Sequence, residues 1–142
     1  MKNWYIISQE QGKNGSIILD GILIDYKIVR EERPFSSTVE VLDAHIENVE
    51  DFIYGFMSTE LGKNAYLLAE KQYKSISELF GKPRVVIVDC YGVRLTFKVM
   101  NSQSVVGEIP ELNLINAEVI DEEDFKTVIG EEHRERLEEI LT

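Results

Sequence analysis

The chain has 142 residues, 44% of them apolar and 29% charged, with a net charge of −11. That is enough for one domain with a real core, and too apolar for wholesale disorder. A bilayer helix needs about 20 consecutive apolar residues and a signal-peptide core about 7–15, and no run here reaches either. One cysteine, Cys90, excludes an intramolecular disulfide framework, so the expectation is a soluble cytosolic protein.

In chain order, residues 4–8 read as a first strand. Asn14-Gly15 and Asp20-Gly21 are dipeptides that accept the positive φ angles of hairpin turns. Between and after them, 16–19 and 22–30 read as strands, the latter with Ile22, Ile24, Tyr26 and Ile28 alternating against Leu23, Asp25, Lys27 and Val29. This predicts an antiparallel meander ended by Arg33-Pro34. A fourth strand is expected over 38–42, with Asp43-Ala44-His45 leading out of it.

Asn48 is a good N-cap, and Glu50 and Asp51 follow where a helix dipole favours negative charge. Val49, Phe52, Ile53, Phe56 and Met57 form an amphipathic stripe, so a helix is predicted over 48–57. Gly55 within it suits the close approach of another backbone. A second, longer helix is predicted over 59–80, with Ala65, Leu68, Ala69, Tyr73, Ile76, Leu79 and Phe80 on its apolar side and a stop at Gly81-Lys82-Pro83. Tyr54, Tyr66, Tyr73, Phe52 and Phe56 are core candidates; exposure of Tyr66 and Leu67 would instead imply a homodimer or partner surface.

Val85 to Val88 is apolar on both faces, as in a central strand covered on both sides or one packed on one face and at an interface on the other. Tyr91-Gly92 turns the chain into the alternating strand 93–99, which reads as nearer a sheet edge. Residues 101–110 form a polar loop, 112–120 a strand, Asp121 caps a short acidic helix stopped by Gly130, and 131–141 form a last helix. No internal repeat is apparent. The expected fold is α+β: a mainly antiparallel sheet built from the N-terminal meander plus the 84–99 hairpin, with helices 48–57 and 59–80 on one face and a short acidic C-terminal helix. Residues 1–142 read as one domain on which the acidic segment 108–142 packs back.

That segment carries a net −9, against −2 for the preceding 107 residues. An acidic field disfavours nucleic acid and anionic membrane and attracts basic partners. The candidate partner-binding residues are Asp121, Glu122, Glu123, Asp124, Glu131 and Glu132. Four consecutive acids without alternating ligands or a central glycine do not make a calcium loop, and one cysteine with two separated histidines does not make structural zinc. Gly12-Lys13-Asn14-Gly15-Ser16 lacks the spacing and the helix of a phosphate loop. No metal and no cofactor is expected.

For catalysis the candidates are Cys90, at a strand end, and Asp43 with His45, two apart and therefore on one side of a strand. A cysteine outside any thiol-enzyme motif more often serves as a small core residue. The leading expectation is thus a non-catalytic protein-interaction or regulatory module. The alternatives are an immunity- or antitoxin-like inhibitor of a basic partner, a small hydrolase or transferase using Cys90 and His45, and a ligand-binding module with a pocket between the long helix and the sheet.

Overall fold

Strand β1 (Trp4–Glu10) pairs with β2 (Asn14–Leu19), which turns at Asp20-Gly21 into β3 (Ile22–Arg33) and then β4 (Ser36–Ile46). Helices α1 (Val49–Met57) and α2 (Glu60–Phe80) follow, then β5 (Val85–Cys90), β6 (Val93–Val99) and β7 (Leu112–Val119). The chain ends in α3 (Glu122–Phe125), a π turn (Lys126–Gly130) and α4 (Glu131–Leu141). This is a computed structural model that describes residues 4–10, 14–33, 36–100 and 110–141, and the side-chain surroundings of 14–28, 39–100 and 110–140. The class is α+β, with antiparallel pairing throughout the described strands.

The strands form two sheets rather than one: β1-β2-β3-β4, and β5-β6-β7. The meander and the hairpin do not join, because each sheet buries its own apolar side against the helices. Ile17, Leu19, Ile22, Ile24, Tyr26, Val41 and Ala44 face inward from the first sheet, and Val86, Val88, Val93, Leu95, Phe97, Leu114 and Ala117 from the second. All fourteen belong to one apolar cluster with Phe52, Phe56, Phe125, Ile129 and Leu137.

The two halves of the chain repeat one another, an internal duplication not apparent along the sequence. Asp20-Gly21 corresponds to Tyr91-Gly92, and in both turns both residues have positive φ, 51° and 74° against 55° and 73°. The Gly21 carbonyl accepts from Glu47 N and Asn48 N, just as the Gly92 carbonyl accepts from Ile120 N and Asp121 N. Asn48 and Asp121 then cap a helix in the same way, accepting from Asp51 N and Asp124 N. A side chain on Gly21 would overlap the Asn48 carbonyl and Phe52 N, and one on Gly92 the Asp121 carbonyl and Phe125 N. Even the bulge is repeated: Leu42 is the extra residue where β4 faces Asp25-Tyr26, and Ile115 where β7 faces Thr96-Phe97. Each half is therefore a three-stranded unit ending in a capped helix.

The two units exchange their helices. Helix α1 packs on β7 of the second unit, whereas the π turn and α4 pack on β4 of the first. The equivalent rings Phe52 and Phe125 meet between the units with centroids 6.0 Å apart. A hydrogen bond from Val39 N to Glu138 Oε1, 3.1 Å long, fastens α4 to the edge of β4.

Several local expectations change. Asn14 and Gly15 lie within β2, paired with Glu10 and Gln9, so the first turn falls outside the described residues; so do Pro34 and the 101–109 loop. β4 continues through Asp43-Ala44-His45, held by pairing to β3. β5 is an edge strand with Val85 and Ile87 exposed, and alternating β6 is the central one. Its polar face meets water without being at an edge, because only one face of this sheet is covered by helices. Gly130 does not stop a helix: the π turn carries the chain on, and Gly130 packs against Val41. Gly55 is approached by the Asp20 side chain, not by a backbone. Tyr54 lies on the outer side of α1 and is 79% exposed.

Candidate functional site

The proposed Asp43–His45 pair forms. Both side chains project from the outer face of β4, and His45 Nε2 donates to Asp43 Oδ2 at 2.8 Å, while Asp43 Oδ1 accepts from Ala44 N. On the neighbouring strands Ser16 Oγ donates to Asp25 Oδ1 at 2.6 Å, and Asp25 stands opposite Asp43. The pair is about two-fifths exposed, and no hydrogen bond or ion pair joins it to Cys90 among the described residues. In the duplicate unit the corresponding positions hold Asn116 and Glu118, beside the bidentate Arg94–Asp89 pair. The Arg94–Asp89 pair falls where the first unit has Leu23 and Ile18, so the polar pairings of the two outer faces sit at different places.

Cys90 ends β5, half-buried next to the turn. Burial, reinforced by the Asp89 charge, pushes its thiol up to about 11. A nucleophilic cysteine requires the opposite displacement, since the thiolate is the reacting species. Among the described residues, no group of three or more His, Cys, Asp or Glu side chains is arranged to hold a metal ion.

The acidic candidates lie along the α3–π–α4 rod. Asp121 is a cap; Glu123 pairs with Lys126 at 3.4 Å and Glu131 with Arg134 at 2.8 Å. Asp121–Phe125 aligns with Asn48–Phe52, so Glu123 and Asp124 repeat Glu50 and Asp51 as first-turn acids. Glu122 stands where the first unit has Val49. Partial burial raises the Glu132 carboxyl in pKa, against the opposing charge effect of His133.

One cluster was not anticipated. Asp20, in the turn between β2 and β3, meets His133 and Arg136 of α4. His133 is buried; its Nδ1–H donates to the Ile129 carbonyl at 2.8 Å, which turns Nε2 toward Asp20 Oδ2, 3.7 Å away. The nearby His133 imidazole, then the hydrogen bond from Arg136, holds the Asp20 carboxyl below its ordinary pKa against the opposing effect of burial. Asp20, His133 and Glu132 line a small, partly open space with Ile22, Phe52, Phe56 and Thr59. Thr59 is committed to capping α2, so no free nucleophile faces this imidazole from the lining. The cluster ties one unit's turn to the other's helix.

Among the described residues, the least committed surface is on α2. Ala65, Ala69 and Tyr73 are buried, and Tyr66 is held by an edge contact with Phe97 and by Leu112 N donating to its hydroxyl. Leu67, by contrast, is 58% exposed, and Leu68, Leu79 and Phe80 are exposed too. Leu67 and Leu68 border an open groove of about 520 Å³ with Asn64, Glu70, Lys71 and Lys74. A second groove of about 440 Å³ runs between α2 and β5, past Leu68, Lys71, Ile76 and Val88. Of the apolar stripe expected from periodicity, Ala65, Ala69 and Tyr73 are buried, whereas Leu68, Leu79 and Phe80 are exposed. No described helix is long and apolar enough to cross a membrane. No family model, curated protein or solved structure matches the chain.

Proposed function

We propose that the chain is a non-catalytic protein-interaction module that docks a partner on the outer side of α2. The observation that carries this reading is the exposed Leu67–Leu68 pair on a groove flanked by Lys71 and Lys74. Contiguous apolar surface kept beside cations suits a segment with apolar anchors and carboxylates. The test is native capture on the immobilised chain, with retained proteins identified by mass, comparing wild type with Leu67→Glu/Leu68→Glu. A partner lost by the double variant, whose circular dichroism is unchanged, supports the reading; equal capture by both removes it.

A second reading, an inhibitor that neutralises a basic partner, is favoured by the exposure of Glu122, Glu123 and Asp124. It predicts binding that weakens steeply with salt and is reduced by Glu122→Gln, Glu123→Gln and Asp124→Asn together. Insensitivity to both treatments would count against it.

A further inference from the structure

The duplication exposes a vacancy. In the first unit the outer edge of β2 is covered by β1, with Ile18, Ser16 and Asn14 opposite Tyr5, Ser8 and Glu10. The equivalent edge of the second unit belongs to β5, and no described strand pairs with it. Its free groups follow from the hairpin. In a two-residue turn the closing pair exchanges both hydrogen bonds, here Cys90 with Val93, and the alternation then assigns Val88 and Val86 to β6. The bond from Val99 N to the Arg84 carbonyl continues that series. Val85, Ile87 and Asp89 consequently aim their N–H and C=O groups outward, and these residues are the counterparts of Asn14, Ser16 and Ile18.

We infer that this edge is filled by β5 of a second copy of the chain, antiparallel and centred on Ile87, giving one continuous six-stranded sheet across a two-fold axis. In that register Ile87 faces Ile87 of the other copy, and Val85 faces Asp89. Every outward group of the three residues then has a partner, which no shifted self-pairing achieves. Charge agrees with the antiparallel sense. β5 is preceded by Lys82 and Arg84 and carries Asp89, itself paired with Arg94, one residue before its end, so antiparallel pairing sets each basic end near an acidic residue, whereas parallel pairing would set the basic ends together. Val85 and Ile87, 45% and 48% exposed, gain cover on the outer face. Exposed edges of this kind are normally blunted by charge or proline, and Val85-Val86-Ile87-Val88 has neither.

The experiment is light-scattering mass measurement on the intact chain over a roughly hundredfold concentration range, since a dimer of this kind dissociates on dilution. Wild type is expected at twice 16.3 kDa at the upper end. Ile87→Pro removes one outward N–H without touching the β5–β6 ladder, and Ile87→Lys places a charge beside its own copy; both are expected at the monomer mass with unchanged circular dichroism. If the proline variant fails to fold, the lysine variant decides. A wild-type chain that stays monomeric throughout, or a dimer that survives Ile87→Lys, overturns the inference. Neither result bears on the α2 groove, which is probed independently by Leu67→Glu/Leu68→Glu.

Discussion

The two units share a frame and differ in what they mount on it. In each, a glycine carbonyl caps the end of a third strand, a polar cap begins a helix, and that helix packs on the other unit. The residue before the glycine, however, is Asp20 in the first and Tyr91 in the second. Asp20 is bound by His133 and Arg136; Tyr91 places its ring edge-on to Phe56, with centroids 6.5 Å apart. One inter-unit joint is ionic and the other aromatic. Backbone geometry is thus common to the units, and side-chain chemistry at matched positions is free to diverge.

The sharpest way to break this equivalence is at the shared element. Gly21→Ala and Gly92→Ala each force a side chain onto a backbone with φ above +70° and into the start of a helix. Each should cost at least about 4 kcal/mol by denaturant unfolding, a large part of any domain's stability. Comparable losses are the expected outcome. A silent Gly92→Ala would mean that the second turn merely resembles the first.

The ionic joint should give a pH signature that the aromatic one lacks. Asp20 has a folded pKa below its ordinary value of 3.8, so its contribution is fully present above that value and is lost as pH falls through the folded pKa. Asp20→Asn should remove roughly 1–3 kcal/mol at neutral pH, as for a sheltered hydrogen bond to charged groups, and should flatten the acid limb of the stability curve. Asp89→Asn is the control, because its pair with Arg94 is exposed; its curve should coincide with wild type above pH 5. An unchanged acid limb in Asp20→Asn would separate the ion pair from stability.

A reverse sign is expected at Tyr26, the counterpart of Phe97. Tyr26 is fully buried and its hydroxyl has no hydrogen-bond partner among the described residues. Tyr26→Phe makes the two units alike and should stabilise the protein by about 1 kcal/mol, measurable as a raised Tm. A loss of stability would point to a buried water on the hydroxyl.

Much of this frame was legible along the chain. Asn48, Thr59 and Asp121 announce the helices, because capping is a local interaction within three residues, and Gly21, Gly81 and Gly92 mark positions with positive φ. Leu42-Asp43-Ala44-His45-Ile46-Glu47-Asn48-Val49-Glu50-Asp51-Phe52 against Ile115-Asn116-Ala117-Glu118-Val119-Ile120-Asp121-Glu122-Glu123-Asp124-Phe125 was a readable signal of the duplication. It was hidden by divergence at exposed positions and by a two-residue difference in spacing. Partition into two sheets, the edge position of β5 and the meeting of Asp20 with His133 were not legible. They depend on which surfaces the exchanged helices cover, and Asp20 and Arg136 are 116 residues apart. Likewise, the apolar stripe of the long helix could not reveal that Ala65 and Ala69 give the closest approach while Leu67 and Leu68 stay in water.

The smallest expected effects bear on how the acidic run is to be understood. Asn48 and Asp121 occupy the same place, each accepting one first-turn N–H, at 3.0 and 3.1 Å. Asn48→Ala and Asp121→Ala should each cost about 1 kcal/mol, whereas Asp121→Asn keeps the acceptor and should cost less. Glu122→Gln and Glu123→Gln, on exposed positions of the first turn, should change stability by only a few tenths of a kcal/mol. Such a gradient would assign Asp121 to the scaffold and leave Glu122, which replaces the first unit's Val49, as the acid that folding does not require. If Asp121→Ala were as harmless as Glu122→Gln, the cap would carry no weight in the second unit. The whole run 121–124 would then be available to a partner, and the equivalence of the two helix starts would hold in shape but not in energy.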